Sequence, residues 1–133
     1  MHPLLAQEWV DLCAAYPDAL HADQPERVEV SMALIQGQYN HSAIRVAVLV
    51  PPGYRATGPD GFLIPSGLVL QNGQALPVSD AAGIGLPTWQ LVSFHMLDEQ
   101  GKSTWHPSAD PRRGDNFVGY LAAIEQFLAH GCN

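Results

Sequence analysis

The chain has 133 residues and a mass of 14.4 kDa, enough for one compact domain and too little for two that each bury a core. Hydrophobic residues make up 47 % and charged residues 14 %, so the chain is expected to fold as a single domain over residues 1–133 rather than stay disordered. Six basic residues against thirteen acidic ones leave a formal charge of −7, which lacks the positive field that nucleic-acid phosphates or an anionic membrane surface require. Nucleic acid and membrane are therefore excluded as expected partners.

Two cysteines, Cys13 and Cys132, make neither a disulfide framework nor a zinc site. The first residues, Met1-His2-Pro3-Leu4-Leu5, carry no basic region and meet Glu8 and Asp11 before any long apolar run, unlike a secretory signal. A reduced, cytoplasmic setting is the expectation from these features.

From Leu4 to Leu20, the residues Leu5, Trp9, Leu12, Cys13 and Tyr16 recur at helical spacing, and Pro17 ends the stripe. This predicts one amphipathic helix. Residues 21–25 read as a linker, and the alternation Val28, Val30, Met32, Leu34 then predicts a half-buried strand. Ile44 to Val50 is β-branched and predicts a second strand, covered on at least one face. Pro51-Pro52-Gly53-Tyr54 and Gly58-Pro59-Asp60-Gly61 form a proline-bounded excursion through which no strand passes, since proline cannot donate to a ladder. Leu68-Val69-Leu70 and Ala75-Leu76 flank Asn72-Gly73, a hairpin turn signal. Residues 79–85 are small and flexible, and Trp89 to Leu97 predicts another extended run. Asp115 is placed to cap a last helix whose stripe is Phe117, Tyr120, Leu121, Ile124 and Leu128, with Gly131 beyond it. No helical pattern separates the strands, so the sheet is expected to be an antiparallel, four-stranded meander with a helix at each end, an α+β fold.

Phosphate loops, nucleophile elbows and paired helical histidines are all missing from the sequence. Chemistry concentrates instead in Trp89 to Asp98, Trp105-His106-Pro107 and the turn from Asp110 to Asp115. Trp89, Phe94 and Trp105 read equally well as core or as a binding rim, and His95 as a residue satisfied by a backbone carbonyl or as an acid/base group paired with Asp98 or His106. A metal site using His95, His106 and Asp110 is a further alternative with no familiar ligand spacing, so no metal and no cofactor is assigned. Cys13 reads as a small buried hydrophobe and Cys132 as an exposed tail thiol.

The order of these features resembles the ubiquitin-conjugating (E2, UBC-fold) superfamily, and within it the bacterial branch called family E. The residues that carry the resemblance are Val50-Pro51-Pro52-Gly53-Tyr54, Gly58-Pro59-Asp60-Gly61-Phe62, Leu68 to Gly73, Trp89 to His95, Trp105-His106-Pro107 and Asp115-Asn116-Phe117, covering about residues 28 to 130. The resemblance implies a UBC-like fold working beside a ubiquitin-like modifier, its activating enzyme and a deconjugating metalloprotease. It also implies a cysteine between the active-site loop and the tryptophan-proline element, to carry the modifier as a thioester.

This chain has no cysteine in that interval, and no His-Pro-Asn element. The expected place falls near Ser93 to Asp98, where His95 is the most nucleophilic side chain. An acyl-imidazole there would be short-lived in water, so the expectation is a chain that binds the modifier or its activating enzyme without carrying a thioester. Tyr54, Trp89, Phe94, Trp105, His106 and Pro107 are the expected binding residues, with His95 and Asp98 as the catalytic pair of a rival, non-thioester transferase. A purely structural interaction domain is the remaining alternative. The resemblance also implies that the first-helix face docks the activating enzyme, through basic residues where this chain has the acidic Glu8 and Asp11.

Overall fold

The computed structural model describes residues 1–132. Two short helices, α1 (Pro3–Ala6) and α2 (Trp9–Ala15), precede six strands: β1 (Leu20–Ala22), β2 (Arg27–Ala33), β3 (Ala43–Leu49), β4 (Phe62–Pro65), β5 (Val78–Asp80) and β6 (Trp89–Val92). Helix α3 (Phe117–Ala129) closes the chain. The strands make one antiparallel sheet in the order β1-β2-β3-β4-β6-β5. The fold is α+β with helices at both ends, as the sequence predicts, but the sheet has six strands rather than four.

Three strands fall where the sequence gives none: β4, four residues directly after the proline-bounded excursion, and the edge strands β1 and β5, three residues each, all too short to show alternation. Leu20–Ala22 occupies part of the predicted linker and pairs Leu20 with Glu29, while Val78–Asp80 overlaps the predicted flexible stretch and pairs Asp80 with Gln90. Because β5 lies outside β6, the sheet departs from a simple meander at that edge. The hairpin signal at Asn72-Gly73 yields a tight turn with an isolated bridge between Val69 and Ala75, not a pair of full strands.

β2 and β3 form the longest ladder, from Arg27 opposite Leu49 to Ala33 opposite Ala43. Val28, Val30 and Met32 from one strand and Ile44, Val46 and Val48 from the other turn to the same side, where they meet Leu5, Leu12, Phe117, Tyr120, Leu121, Ile124 and Leu128 of the helices. Truncating a fully buried aromatic here, such as Phe62, costs about 3–5 kcal/mol. The other side of β3 and β4 is covered too: Ala47 and Leu63 pack with Ala81 and Leu86, and Trp89 lies against them.

The predicted first helix is broken at Gln7-Glu8. The Glu8 amide bonds Leu5 O at 2.9 Å, and the Leu4 carbonyl accepts from Arg55 Nη2 at 2.9 Å, so the regular helical ladder is interrupted by a side chain from another loop. At α3 the cap is Asn116, whose side-chain oxygen accepts from the Gly119 amide at 2.8 Å; Asp115 is used elsewhere. Cys132 is buried, contrary to the expectation of an exposed tail thiol. Its amide bonds Phe127 O at 2.9 Å beyond Gly131 at φ 70°, wrapping the tail back so that Sγ rests 3.8 Å from the Tyr39 hydroxyl. Among the described residues no helix is long and apolar enough to cross a membrane.

All four tyrosines place their hydroxyls on internal acceptors: Tyr16 donates to Glu125, Tyr39 to Leu128 O, Tyr54 to Glu8, and Tyr120 to Gly61 O. Burial pushes each phenol above the usual tyrosine range, with the neighbouring carboxylates adding to the effect at Tyr16 and Tyr54. A group whose folded pKa is raised stabilises fully below its unfolded pKa, about 10 for tyrosine, and that contribution is lost as pH rises above it. In an alkaline titration, stability is expected to fall from about pH 10 upward, with tyrosinate absorbance appearing together with the loss of circular dichroism. Stepwise ionisation in a fully folded chain would contradict this.

Candidate functional site

The site is built on a buried ion pair. Glu8, between α1 and α2, and Arg55, beyond the proline-tyrosine corner, are 3 % and 4 % exposed, and their Oε2–Nε distance is 3.1 Å. The Glu8 carboxylate also accepts from the Tyr54 hydroxyl at 2.7 Å and from the Phe117 amide at 2.8 Å, at the N-terminal end of α3 where a negative charge is favoured. The guanidinium spends its remaining donors on Leu4 O, Gln7 Oε1 and Ser108 O, a forked set that a lysine could not reproduce. Arg55 sits at φ 53°, a left-handed conformation that costs a side-chain-bearing residue about 1–2 kcal/mol and is held here by these bonds.

That corner positions the tryptophan-proline element. The Trp105 indole donates to Arg55 O at 2.7 Å, and its ring lies over Gly58, where a Cβ would come within 2.6 Å of the ring. Asp115, one residue before the observed cap, accepts from the His106 amide at 2.7 Å and returns its own amide to His106 O. A groove of about 410 Å³ opens beside this assembly, lined by Gly58, Pro59, Asp60, His95, Trp105 and Tyr120 among others. Gly61, at φ 83°, donates its amide to Phe94 O and to the Tyr120 hydroxyl, which joins the 58–61 loop to the segment leaving β6. A side chain at Gly61 would collide with Val92 O at 2.6 Å.

His95 leaves β6 on the outward side of the segment, alternating with half-buried Phe94, which stacks on Phe127 at 4.9 Å. Its carboxylate partner is Asp60, at 3.0 Å from Nδ1, not Asp98. Asp98 instead closes the 98–102 turn by accepting from the Gln100 and Lys102 amides, each at 2.9 Å. The ring's other nitrogen faces Ser93 Oγ at 3.2 Å. Ser93, His95 and Asp60 are all exposed, so this cluster meets solvent at the groove rim.

The remaining predicted binding residues divide. Tyr54 is buried and serves the ion pair, and Trp89 packs on the opposite side of the sheet; neither offers its ring to the groove. Phe94 and Trp105 are half-buried, and His106 and Pro107 are exposed. His95, His106 and Asp110 do not come together as ligands; among the described residues His21, Asp23 and Glu26 are the group whose donor atoms converge, and there Glu26 already accepts from His21 Nε2 and the His2 amide. On α2, Asp11 is held below the usual carboxylate range by hydrogen bonding to Arg112, which spans to the 110–113 turn. The acidic first-helix face is thus largely spent internally: Glu8 is buried and Asp11 is paired.

The sequence model for prokaryotic E2 family E matches residues 22–130. The chain belongs to this family. No curated protein and no solved structure matches it. The family E match includes the proline-tyrosine corner, the 58–61 loop, Ser93 to Asp98 and the tryptophan-proline element, while α1, α2 and Glu8 precede it.

Glu8 was legible as a position, though not as a role: it falls on the Leu5–Leu12 face of the apolar stripe at helical spacing, where a carboxylate needs a partner. Removing it leaves the Arg55 charge buried and unpaired. Glu8→Ala is expected to lower unfolding stability by about 3–5 kcal/mol in urea titrations and to release Trp105, read as a red-shifted fluorescence. A loss within the range of exposed surface substitutions would contradict the assignment.

Proposed function

We propose that this family E chain is an E2-shaped binding component of a bacterial ubiquitin-like conjugation system, engaging the modifier or its activating enzyme without passing the modifier through a thioester of its own. The observation that carries the reading is the position of the sulfurs. The segment where the resemblance implies a carrier cysteine, Ser93 to Asp98, contains none, and the groove it borders is lined by no cysteine. Cys132 is packed at the C-terminal end of α3 with its thiol pushed up by burial, and Cys13 is half-buried on α2. A thioester carrier needs an accessible thiolate, which desolvation opposes at Cys132.

The half-buried rings of Phe94 and Trp105, with exposed His106, Pro107 and Leu97, offer a mixed apolar and polar surface of the kind that recognises an extended peptide. The fold supplies the shape and the ion pair fixes the rim, so recognition needs no chemistry from the chain. A deconjugating metalloprotease would act on the products of the same pathway.

The test is reconstitution with a ubiquitin-like modifier, its activating enzyme and ATP. The chain is expected to bind the charged activating enzyme in a pull-down, weakened by Trp105→Ala, and to give no thiol-sensitive adduct on non-reducing gels. An adduct that disappears in Cys13→Ser or Cys132→Ser would overturn the proposal, as would absence of binding to both proteins.

A further inference from the structure

At the groove rim, Ser93, His95 and Asp60 stand in the relation of nucleophile, base and orienting carboxylate. Asp60 Oδ1 lies 3.0 Å from His95 Nδ1, and Ser93 Oγ lies 3.2 Å from His95 Nε2. The Asp60 contact is an ion-pair approach rather than an aligned hydrogen bond; a carboxylate beside Nδ1 favours the tautomer with its proton there, which makes Nε2 the acceptor for the Ser93 hydroxyl. Each of the three atoms has the neighbour that acyl-transfer chemistry asks of it.

The arrangement arises from the backbone. In the extended segment leaving β6, Val92 is buried and Phe94 packs on α3, so Ser93 and His95 turn outward on the same side. The Gly61 amide bonds Phe94 O at 3.2 Å, drawing the 58–61 loop against this segment and setting Asp60 beside the ring. The Tyr120 hydroxyl meets both Gly61 and Phe94, so α3 anchors the two strips that carry the three side chains. Asp60 and His95 both line the groove, while Ser93 stands outside its lining on the far side of the His95 ring, so an acyl group would reach the serine over the rim.

We propose that Ser93 is a nucleophilic serine that accepts an activated acyl group as an oxyester, with His95 as its general base and Asp60 as the residue that orients the ring. In the step, the Ser93 Oγ–H proton moves to His95 Nε2 as Oγ bonds the acyl carbon. The bond from that carbon to the leaving sulfur or oxygen then breaks, and the proton passes from Nε2 to the leaving group. Nothing is oxidised or reduced. The inference goes beyond the reading above, from binding to covalent carriage, and rests on it only for the acyl donor, which would be the thioester of a modifier on its activating enzyme. An oxyester survives water longer than an acyl-imidazole and is not cleaved by thiols, so it could hold cargo where no cysteine stands.

The chain is treated with p-nitrophenyl acetate, and acetylated residues are mapped by peptide mass spectrometry. A single dominant, hydroxylamine-labile acetyl ester on Ser93 is expected, absent in Ser93→Ala and formed about 100-fold more slowly in His95→Gln. Asp60→Asn should slow it and Asp60→Glu restore most of the rate, with circular dichroism unchanged in all four variants because the three residues are exposed. Acetylation confined to Lys102 or the α-amino group, or labelling of Ser93 at an unchanged rate in His95→Gln, would overturn the proposal. The acyl site and the conjugation reading fail separately: acetylated Ser93 in a chain that binds neither modifier nor activating enzyme would keep the acyl site and discard the conjugation reading, and binding without acetylation would do the reverse.

Discussion

One buried contact ties together the parts of this protein that are distant in sequence. The Glu8–Arg55 pair bonds the break between the first two helices to the proline-tyrosine corner, the first amide of α3 and, through Arg55 O, the Trp105 indole. Two charges taken out of water are a net liability unless every donor and acceptor around them is used. Here every nitrogen and oxygen of the two groups has a partner: the carboxylate takes three donors and the guanidinium places four of its five N–H groups on acceptors. Such a pair adds little net stability over an apolar replacement, but losing either partner leaves the other charge buried, so the four segments are held to the packing that pairs them.

This constraint also explains how the groove obtains its shape. The left-handed Arg55 turns the chain so that its carbonyl meets Trp105, and Gly58 lets the indole settle on the backbone. On the opposite wall, Tyr120 clamps Gly61 and Phe94. The two anchors are joined through α3, since Phe117 reports to Glu8 and Tyr120 lies one turn further along the helix. An exposed cluster such as Ser93, His95 and Asp60 can then keep a defined geometry although its own polar contacts are weak in water.

Much of this was legible in the amino-acid sequence, for reasons that differ from element to element. β2 and α3 have clean periodicity because each buries one face against the core, and β3 shows instead as a β-branched run because both of its faces are covered. β1 and β5 carry no pattern because three residues at a sheet edge bury almost nothing. The break in the first helix and the pairing of His95 with Asp60 rather than Asp98 depend on contacts between segments far apart in the chain, which spacing cannot reveal. Asp98 is nearer to His95 in sequence, yet a turn claims its carboxylate. Cys132 followed the general rule for tails until Gly131 folded it back under Tyr39.

If the Glu8–Arg55 contact is what joins these segments, they should open together. Native-state hydrogen exchange of the Phe117 amide and the Trp105 indole N–H, compared with the Val46 amide in β3, tests this most directly. All three are expected to exchange with the same opening free energy, that of global unfolding. Fast exchange of the Trp105 indole or the Phe117 amide, while Val46 remains protected, would show that the corner frays independently of the core and would contradict it.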